Sequence, residues 1–576
     1  MNYASGIQTT GLVALPPWRS RLLHVALLLG LCGLLARAGY LQGVHNDFLQ
    51  QKGDARYART VDINAHRGMI TDRHGEPLAI STPVESIWAS PQDVEITPPQ
   101  LKQLADALGM PAEEVRSKIL DTSRDFVYLK RQLPPELAAK VTQLDVSGIS
   151  GRREYRRYYP GGDMTAHLLG FTNVDDNGQE GLELAMQNRL SGQAGSERVI
   201  KDRRGHIVED VASIRAPKAG NDIALSIDSK IQFLAFREIK LAVERHHAKS
   251  GSVVVLDAKS GEVLAMANWP SYNPNSRARV DLQDMRNRAV TDQFEPGSTM
   301  KPFTIATALE EGKITPQTVI NTENGVYTVG GRKIHDSHPE PSLTVSQVIQ
   351  KSSNVGASKI ALSLAPEDFW RSLNSIGFGT QTGSGFPGET PGDLRNYKTW
   401  QPIEQATMSY GNGIAVNLLQ LARAYTVFAN DGELKPVSLL KEDSATVGKR
   451  IFSKTTADEV RGMMELVVQP GGTAPQAQIN GYRVAGKTGT AHKLEHGRYV
   501  NRYVASFIGL APASDPRLIT AVIVDEPSGG QYYGGEVAAP VFSNVMGSAL
   551  RMLNIPNDAP LGNVLMPPAE IVKEET

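Results

Sequence analysis

Residues 22–36 read LLHVALLLGLCGLLA, apolar apart from His24. Such a run has to lie in a membrane or at the centre of a fold, and a core helix fits badly at the extreme end of a chain. Fifteen helical residues reach only about 22 Å, short of the roughly 30 Å hydrocarbon core. Continuation to Leu41 closes the gap if Arg37 snorkels to the far interface, and Trp18 and Tyr40 then sit where interfacial aromatics are favoured. Arg19 and Arg21 ahead of the run, with Ala36-Arg37-Ala38 behind it, also describe a secretory signal with a small-residue cleavage site. An arginine in the middle of that site, and the apolar continuation through Tyr40-Leu41, favour an uncleaved anchor. The expectation is a cytoplasmic segment at 1–20, a transmembrane helix at 21–41, and residues 42–576 outside the inner membrane. Lys52, Arg56 and Arg59 outnumber Arg19 and Arg21, so flanking charge does not set this orientation; large downstream domains translocate largely regardless of it.

The remaining length allows several domains, since 576 residues at roughly 150 per domain predict three or four. Sixty Lys+Arg against 61 Asp+Glu leave a net charge of -1, which gives no electrostatic reason to expect a nucleic-acid partner. The single cysteine, Cys32, rules out an intramolecular disulfide and a thiolate zinc cluster. Residues 42–220 mix short strands and helices. Asp72 and Gly75 supply turn chemistry between two strands, 101–108 and 113–120 have helical spacing, and Pro134-Pro135 opens another helix. Arg152, Arg153, Arg156 and Arg157 interleave with Tyr155, Tyr158 and Tyr159. Two readings compete there, an anionic lipid or partner patch and an exposed strand with arginine stems over the tyrosines; the second is favoured. From Asn221 a second domain is expected to 557. Residues 223–228 alternate as a strand and 231–243 as a helix, 252–257 and 263–267 form a hairpin, and 503–510 and 518–524 form another strand pair. This makes an α+β fold, an antiparallel sheet built from distant segments and packed by helices. The tail, 558–576, is expected to be disordered.

Chemistry concentrates in Phe294-Glu295-Pro296-Gly297-Ser298-Thr299-Met300-Lys301-Pro302-Phe303. Pro296-Gly297 breaks the chain, and Pro302 is acceptable only in a first helical turn, so Ser298 lies near a helix N-terminus. Residues three apart on a helix are neighbours, which lets the Lys301 amine reach the Ser298 hydroxyl and act as its base. By itself the spacing is weak, because Ser438 and Lys441 repeat it. Ser352-Ser353-Asn354 and then Lys487-Thr488-Gly489-Thr490, following in that order along the chain, change the odds. Ser271-Tyr-Asn273, Ser372-Leu-Asn374, Lys249-Ser-Gly251 and Lys259-Ser-Gly261 also fit the shorter patterns, so order, separation and flanks decide. The combination S-x-x-K, S-x-N and K-T-G is that of serine β-lactamases and penicillin-binding proteins.

The chain resembles class B penicillin-binding proteins of the division type, from the anchor to about residue 550. The stretch 67–75, Tyr159-Pro160, 178–183, 295–303, 351–356, Ser409-Tyr410-Gly411 and 485–490 carry the resemblance. It implies an elongated, dimerisation-like α+β pedestal at 42–220 and a penicillin-binding transpeptidase domain at 221–557. It also implies a reaction. Ser298 would attack the penultimate carbonyl of a D-Ala-D-Ala stem peptide, Lys301 would take its proton, and Ser352 would relay protons among Ser298, Lys301 and Lys487. Asn354 would bind Lys301 and the substrate amide, and the backbone N–H groups of Ser298 and Thr490 would form the oxyanion hole. Ser353, Thr488, Gly489 and Thr490 belong to the substrate-binding set, with Lys487, Thr488 and Thr490 on the terminal carboxylate. Tyr532 and Tyr533 are either pocket lining or a strand-end aromatic pair. Strict alternation puts Lys487 on the face opposite Thr488.

β-Lactams would acylate Ser298, and the expected partners are peptidoglycan stem peptides, an integral membrane glycan polymerase and other division proteins. No cofactor or metal is expected, since His335-Asp336-Ser337-His338, His246-His247 and the pair His492 and His496 lack an obvious third ligand. Three rivals remain: a D,D-carboxypeptidase or β-lactamase, a β-lactam sensor, and a non-catalytic division scaffold. A sensor would need a multi-span transducer, and an idle scaffold would not need Ser298, Lys301 and Lys487 together. A bifunctional polymerase is disfavoured, since residues 42–220 give only about 180 positions before the serine domain and no E-D-x-x-F-like signature occurs among them.

Overall fold

Pro17 opens a helix that runs to Gly39 and passes into a π-helical turn, Tyr40–Val44. Within Pro17–Gly43 an 18-residue stretch has a mean hydropathy of 1.9, and none of that stretch is buried. Twenty-seven residues rise about 40 Å as a helix, enough to cross a bilayer. The computed structural model describes residues 17–44, 58–201, 207–276, 280–442, 444, 446–495 and 497–565. Most of the expected cytoplasmic segment, the end of the expected tail (566–576) and His496 lie outside these.

The chain divides into two units. One takes Met1–Asn64, Val84–Glu154 and Ala194–Lys218; the other takes Ala65–Pro83, Tyr155–Gln193 and Ala219–Thr576. In the first, Pro98–Leu108, Ala112–Ile119 and Pro135–Thr142 are the helices read from spacing and from the proline pair. Ile87, Leu104, Leu108, Val115, Leu129 and Val141 bury one small core between them. A separate three-stranded antiparallel sheet joins Ala58–Ile63, Gly195–Lys201 and Ile207–Arg215.

The second unit is built on a five-stranded sheet: β1 (Ser250–Asp257), β2 (Val263–Trp269), β3 (Ala485–Glu495), β4 (Arg498–Ala511) and β5 (Leu518–Asp525). Its order is β2-β1-β5-β4-β3, antiparallel throughout, so strands from opposite ends of the unit's sequence lie side by side and β3 forms an edge. The fold is α+β, as expected. Residues of β1 from Ser250 to Leu256 are all buried, and Val253–Leu256 is the continuous apolar run of a strand covered on both faces. Helices α1 (Ser229–Arg245) and α5 (Ala539–Met552) pack against the sheet and each other. The expected strand at 223–228 shortens to Ile223–Ala224. Asp228 leaves the extended run to cap α1, its carboxylate accepting from Lys230 N at 2.9 Å and Ile231 N at 3.2 Å; a local N-cap outcompetes one more ladder pair.

Two readings of the sequence need correction here. Residues 558–565 are ordered, because side chains and backbone at 478–483 and 514 hold them: Asp558 accepts from Arg483 N (2.7 Å), Gly562 N donates to Asn480 (2.7 Å) and Leu565 N donates to Gln478 (2.8 Å). The arginine-tyrosine strand, Ile149–Tyr158, is not a uniformly exposed face. Arg157 is buried, and its Nε donates to Glu183 at 2.6 Å while its Nη1 donates to Ser81 at 3.1 Å. Arg67 Nε donates to the other Glu183 oxygen at 2.7 Å, and its Nη1 reaches Gln187 and the Asp176 carbonyl. One carboxylate, 0% exposed, therefore answers two buried guanidinium groups. This accounts physically for the sequence stretches around Arg67 and Glu183. Burial beside them pushes the Asp176 carboxyl up to about 6, against the pull of both arginines.

Glu183→Gln leaves both guanidinium groups buried and under-compensated, and removing one partner of a buried pair costs about 3–5 kcal/mol. Denaturant unfolding should show that loss in the transition of the second unit, and an unshifted midpoint would contradict the pairing. His167 supplies a pH test. Burial pushes it down to about 4 from 6.5, and one ring nitrogen sits 2.7 Å from the Asp284 carbonyl. The unfolded chain therefore binds more protons between pH 6.5 and 4, so the contribution is complete above 6.5 and drains away as pH falls to 4, about 3 kcal/mol in all. His167→Asn should flatten that part of the stability–pH curve.

Candidate active site

Gly297 and Gly411 meet so closely that a Cβ on Gly411 would lie 2.2 Å from the Gly297 carbonyl oxygen. That approach, with Gly297 at φ +58°, lets residues 297–300 wind into a 3-10 turn that passes directly into α2 (Lys301–Glu310). Pro302 falls in the first turn of α2, as its ring requires. Ser298 thus lies in the turn ahead of the helix, with Lys301 as the first helical residue. The turn is held from within and from outside: Thr299 Oγ1 donates to the Pro296 carbonyl at 2.8 Å, Tyr425 OH donates to the Thr299 carbonyl at 2.8 Å, and Thr304 Oγ1 of α2 donates to the Ser409 carbonyl at 2.9 Å. Beside it the Glu295 carboxylate accepts from Gly413 N at 2.8 Å and from Tyr499 OH, and burial pushes its carboxyl up.

The second element is a junction of two helices, α3 (Val345–Lys351) and α4 (Asn354–Leu362). Thr344 caps α3 in a box with Gln347. Ser352 ends α3 at φ +64°, a left-handed conformation that costs a non-glycine residue about 1–3 kcal/mol and clusters at functional sites. Ser353 caps α4, its hydroxyl accepting from Gly356 N at 2.8 Å. The Ser-x-Asn spacing is therefore a reversal: Ser352 at the bend, Ser353 as cap, Asn354 at the first position of the next helix. Asp336 fastens it, accepting from Ser353 Oγ (2.6 Å), Asn354 N (2.6 Å) and Val355 N (2.9 Å).

Edge strand β3 supplies Lys487, Thr488, Gly489 and Thr490, all buried. The Lys487 ammonium donates to Ser352 Oγ at 2.9 Å and to Thr488 Oγ1 at 3.1 Å. Strict alternation predicts these two side chains on opposite faces; the four-carbon stem of Lys487 curls back so that its head meets the hydroxyl of the next residue. Thr473 Oγ1 lies 2.7 Å from Thr488 Oγ1. A Cβ on Gly489 would stand 2.4 Å from Ser506 Oγ and 2.9 Å from the Pro296 carbonyl oxygen, so the glycine admits the serine turn against the strand. Thr490 Oγ1 accepts from Gly534 N at 3.0 Å. Tyr532 stacks on Tyr503 at 4.2 Å between centroids, and its hydroxyl donates to Tyr533 at 3.1 Å.

The three elements converge on one nitrogen. Lys301 Nζ lies 2.7 Å from Ser298 Oγ, 2.8 Å from Asn354 Oδ1, and 3.0 and 2.5 Å from the Ser352 hydroxyl and carbonyl oxygens. Ser298 is 5% exposed and Lys301 0%, so the hydroxyl and the amine face each other out of bulk water. Ser298, Lys301, Ser352, Asn354 and Lys487 form one hydrogen-bonded chain; Thr488 joins it directly, and Tyr532 and Tyr533 stand off through Gly534 and Thr490. Ser438 is far from such a cluster, with its hydroxyl bound to the Leu440 carbonyl at 2.8 Å and to Glu442. Asp336, Tyr425 and Thr473 escaped the sequence reading. Asp336 belongs to the His335-Asp336-Ser337-His338 cluster that brings metal to mind, and its work is capping. Among the described residues no group of three or more His, Cys, Asp or Glu side chains is arranged to hold a metal ion. Asp336→Asn keeps the shape but removes the charge from three hydrogen bonds, each worth about 1.5–3 kcal/mol to a charged group. The reactivity of Ser298 toward benzylpenicillin should fall by about tenfold or more, and an unchanged rate would show that the junction holds without it.

A family model described as the penicillin binding protein transpeptidase domain matches residues 251–547, and one described as the penicillin-binding protein dimerisation domain matches residues 62–225. The probable peptidoglycan D,D-transpeptidase PenA of Neisseria meningitidis is 47% identical over 92% of this chain and 92% of its own length. The peptidoglycan D,D-transpeptidase FtsI of Escherichia coli K12 is 44% identical over 94% of this chain and 93% of its own. Among solved structures, the apo TP domain of Burkholderia pseudomallei penicillin-binding protein 3 is 49% identical and covers 58% of this chain and 98% of that one, with a TM-score of 0.55. The serine turn, the helix junction and the lysine strand all fall inside residues 251–547, and relatives at this identity span almost the whole length: the chain belongs to the penicillin-binding protein transpeptidase family.

Proposed function

We propose that the chain is a peptidoglycan D,D-transpeptidase of septal wall synthesis, anchored by residues 21–41 in the inner membrane with its catalytic domain in the periplasm. The observation that carries the chemistry is the Lys301 nitrogen within 3.0 Å of Ser298, Ser352 and Asn354 at once. The Ser352 carbonyl and Asn354 Oδ1 only accept, so they take two N–H bonds of a neutral amine, and its lone pair is left to accept the Ser298 proton. Ser298 Oγ then attacks the carbonyl of the penultimate D-Ala of a stem peptide. Backbone N–H groups of Ser298 and Thr490 take the oxyanion, one such donor being worth about 3 kcal/mol. The peptide C–N bond breaks, and the proton on Lys301 passes through Ser352 to the leaving D-Ala amine. An amine of a second stem peptide attacks the ester, returns its proton by the same route and releases Ser298.

Lys487, Thr488 and Thr490 hold the terminal carboxylate of the first peptide. The open side of β3 gives an extended peptide a strand to pair with, and Ser353 and Gly489 act by shaping the junction and the turn beside it. Tyr532 and Tyr533 wall the far side. Residues 42–220 serve as the pedestal and 221–557 as the transpeptidase domain; an integral membrane glycan polymerase and other division proteins supply the strands to be joined. β-Lactams acylate Ser298 as analogues of the first substrate.

Intact mass of the full chain in detergent after addition of benzylpenicillin tests this reading. A single adduct that persists for hours and is absent from Ser298→Ala is the expected result. An adduct that clears within seconds would favour a hydrolase, and no adduct on a folded chain would overturn the catalytic assignment.

A further inference from the structure

Glu526 holds φ at +51°, in the region that a residue with a Cβ rarely occupies, immediately after β5. Three cations from three elements surround its carboxylate. Lys493 of β3 donates to Oε1 at 2.7 Å, Lys249 of the turn before β1 donates to the same oxygen at 3.3 Å, and Arg502 of β4 donates to Oε2 at 3.2 Å. Partial burial works to raise this carboxyl, and the three cations overcome it and hold the group at about 2. Lys493 also donates to both oxygens of Asp525, and Glu526 N donates to the Tyr503 carbonyl at 2.9 Å. The next residues stay pinned: Ser528 N and Gly529 N both donate to the His246 carbonyl, at 2.9 and 2.8 Å.

From Gly530, at φ +93° with open space where a Cβ would be, the chain spans to Tyr532, which stacks on Tyr503, and to Gly534, which donates to Thr490 Oγ1. The segment 526–534 thus has three anchors: the charge cluster at Glu526, the His246 carbonyl that holds Ser528 and Gly529, and the hydroxyl of Thr490, on the same strand as Lys493.

We propose that Glu526 is a positioning residue that ties edge strand β3 to the segment 526–534 and sets where Tyr532 and Tyr533 stand beside Thr490, so that it governs selectivity for acyl donors with a bulky side chain. This rests on the reading of Tyr532 and Tyr533 as substrate-binding. The carboxylate is suited to the task because its partners come from separate elements, so neutralising it releases the first anchor without removing apolar packing. Lys493 and Arg502 have other acceptors in Asp525 and Glu495, which leaves their strands charge-matched when Glu526 is altered.

The test uses the full chain in detergent and the variant Glu526→Gln, with two readouts. Hydrogen exchange of the amides at 530–534 should rise about tenfold or more, while the amides of β4 and β5 keep their protection. Acylation by benzylpenicillin should slow about tenfold, while acylation by 6-aminopenicillanic acid, which lacks the side-chain acyl group, should change by less than about twofold. Unchanged exchange at 530–534, or equal slowing with both compounds, overturns the proposal. Tyr532→Ala separates the two layers: if it acylates with benzylpenicillin as the unaltered chain does, the substrate-wall reading fails and the selectivity role fails with it. If Tyr532→Ala slows benzylpenicillin and Glu526→Gln does not, the wall stands and Glu526 is not what positions it.

Discussion

The Lys301 amine is where the second unit is knotted together. Its 2.7 Å contact with Ser298 is local, fixed by one turn of chain, but its contacts with Ser352 and Asn354 bring in the junction of α3 and α4, a separate and later part of the sequence. Lys487 reaches the same Ser352 hydroxyl from the sheet edge. A buried amine in such company is costly unless all its directions are used, so the three elements are mutually required: none of them satisfies it alone. The surrounding architecture serves that meeting. Glycines at 411 and 489 remove side chains that would push the serine turn away from its neighbours, Gly297 supplies the positive φ of that turn, and Tyr425 holds the turn from behind.

Positions that obey a local rule were legible. Pro302 fixed where α2 could begin, the proline pair at 134–135 opened a helix, and short apolar runs bounded by turn residues marked β1, β2 and β5. The three short patterns were legible only as a set, because their order and flanks discriminated against several decoys. What sequence could not carry was anything that depends on two distant segments meeting. Asp336 stands among histidines that draw attention toward metal, and only the fold shows its carboxylate against the start of α4. Lys487 and Thr488 depart from strict alternation because a long flexible stem can turn its head toward a neighbouring hydroxyl. Arg157 is indistinguishable in sequence from three neighbouring arginines, and only the fold puts Glu183 against it. The residues at 558–565 carry little apolar pattern, and their order comes from polar groups elsewhere, which no local signal announces.

Ser352 and Glu526 share a feature: each is a residue with a side chain held at positive φ where the site needs a bend. Hydrogen bonds or ion pairs surround both. Strain of this kind survives where neighbours over-determine the conformation, and here the neighbours are the groups whose placement the chemistry needs. Asp336 steadies the junction beside Ser352, and the Lys493-Arg502-Lys249 cluster steadies the approach to Tyr532.

The claim that Lys301 both unites the site and takes the serine proton is tested most directly by the second-order rate of benzylpenicillin adduct formation in Lys301→Met, measured on chain that unfolds at the same temperature as the unaltered protein. General-base catalysis contributes about 10²–10⁴ in rate. Loss of the base should lower the rate by at least about 10³, with Ser298 still the labelled residue in any slow product. A rate within about tenfold of the unaltered chain would contradict it, leaving Lys301 as a structural tie and moving the base elsewhere in the hydrogen-bonded chain.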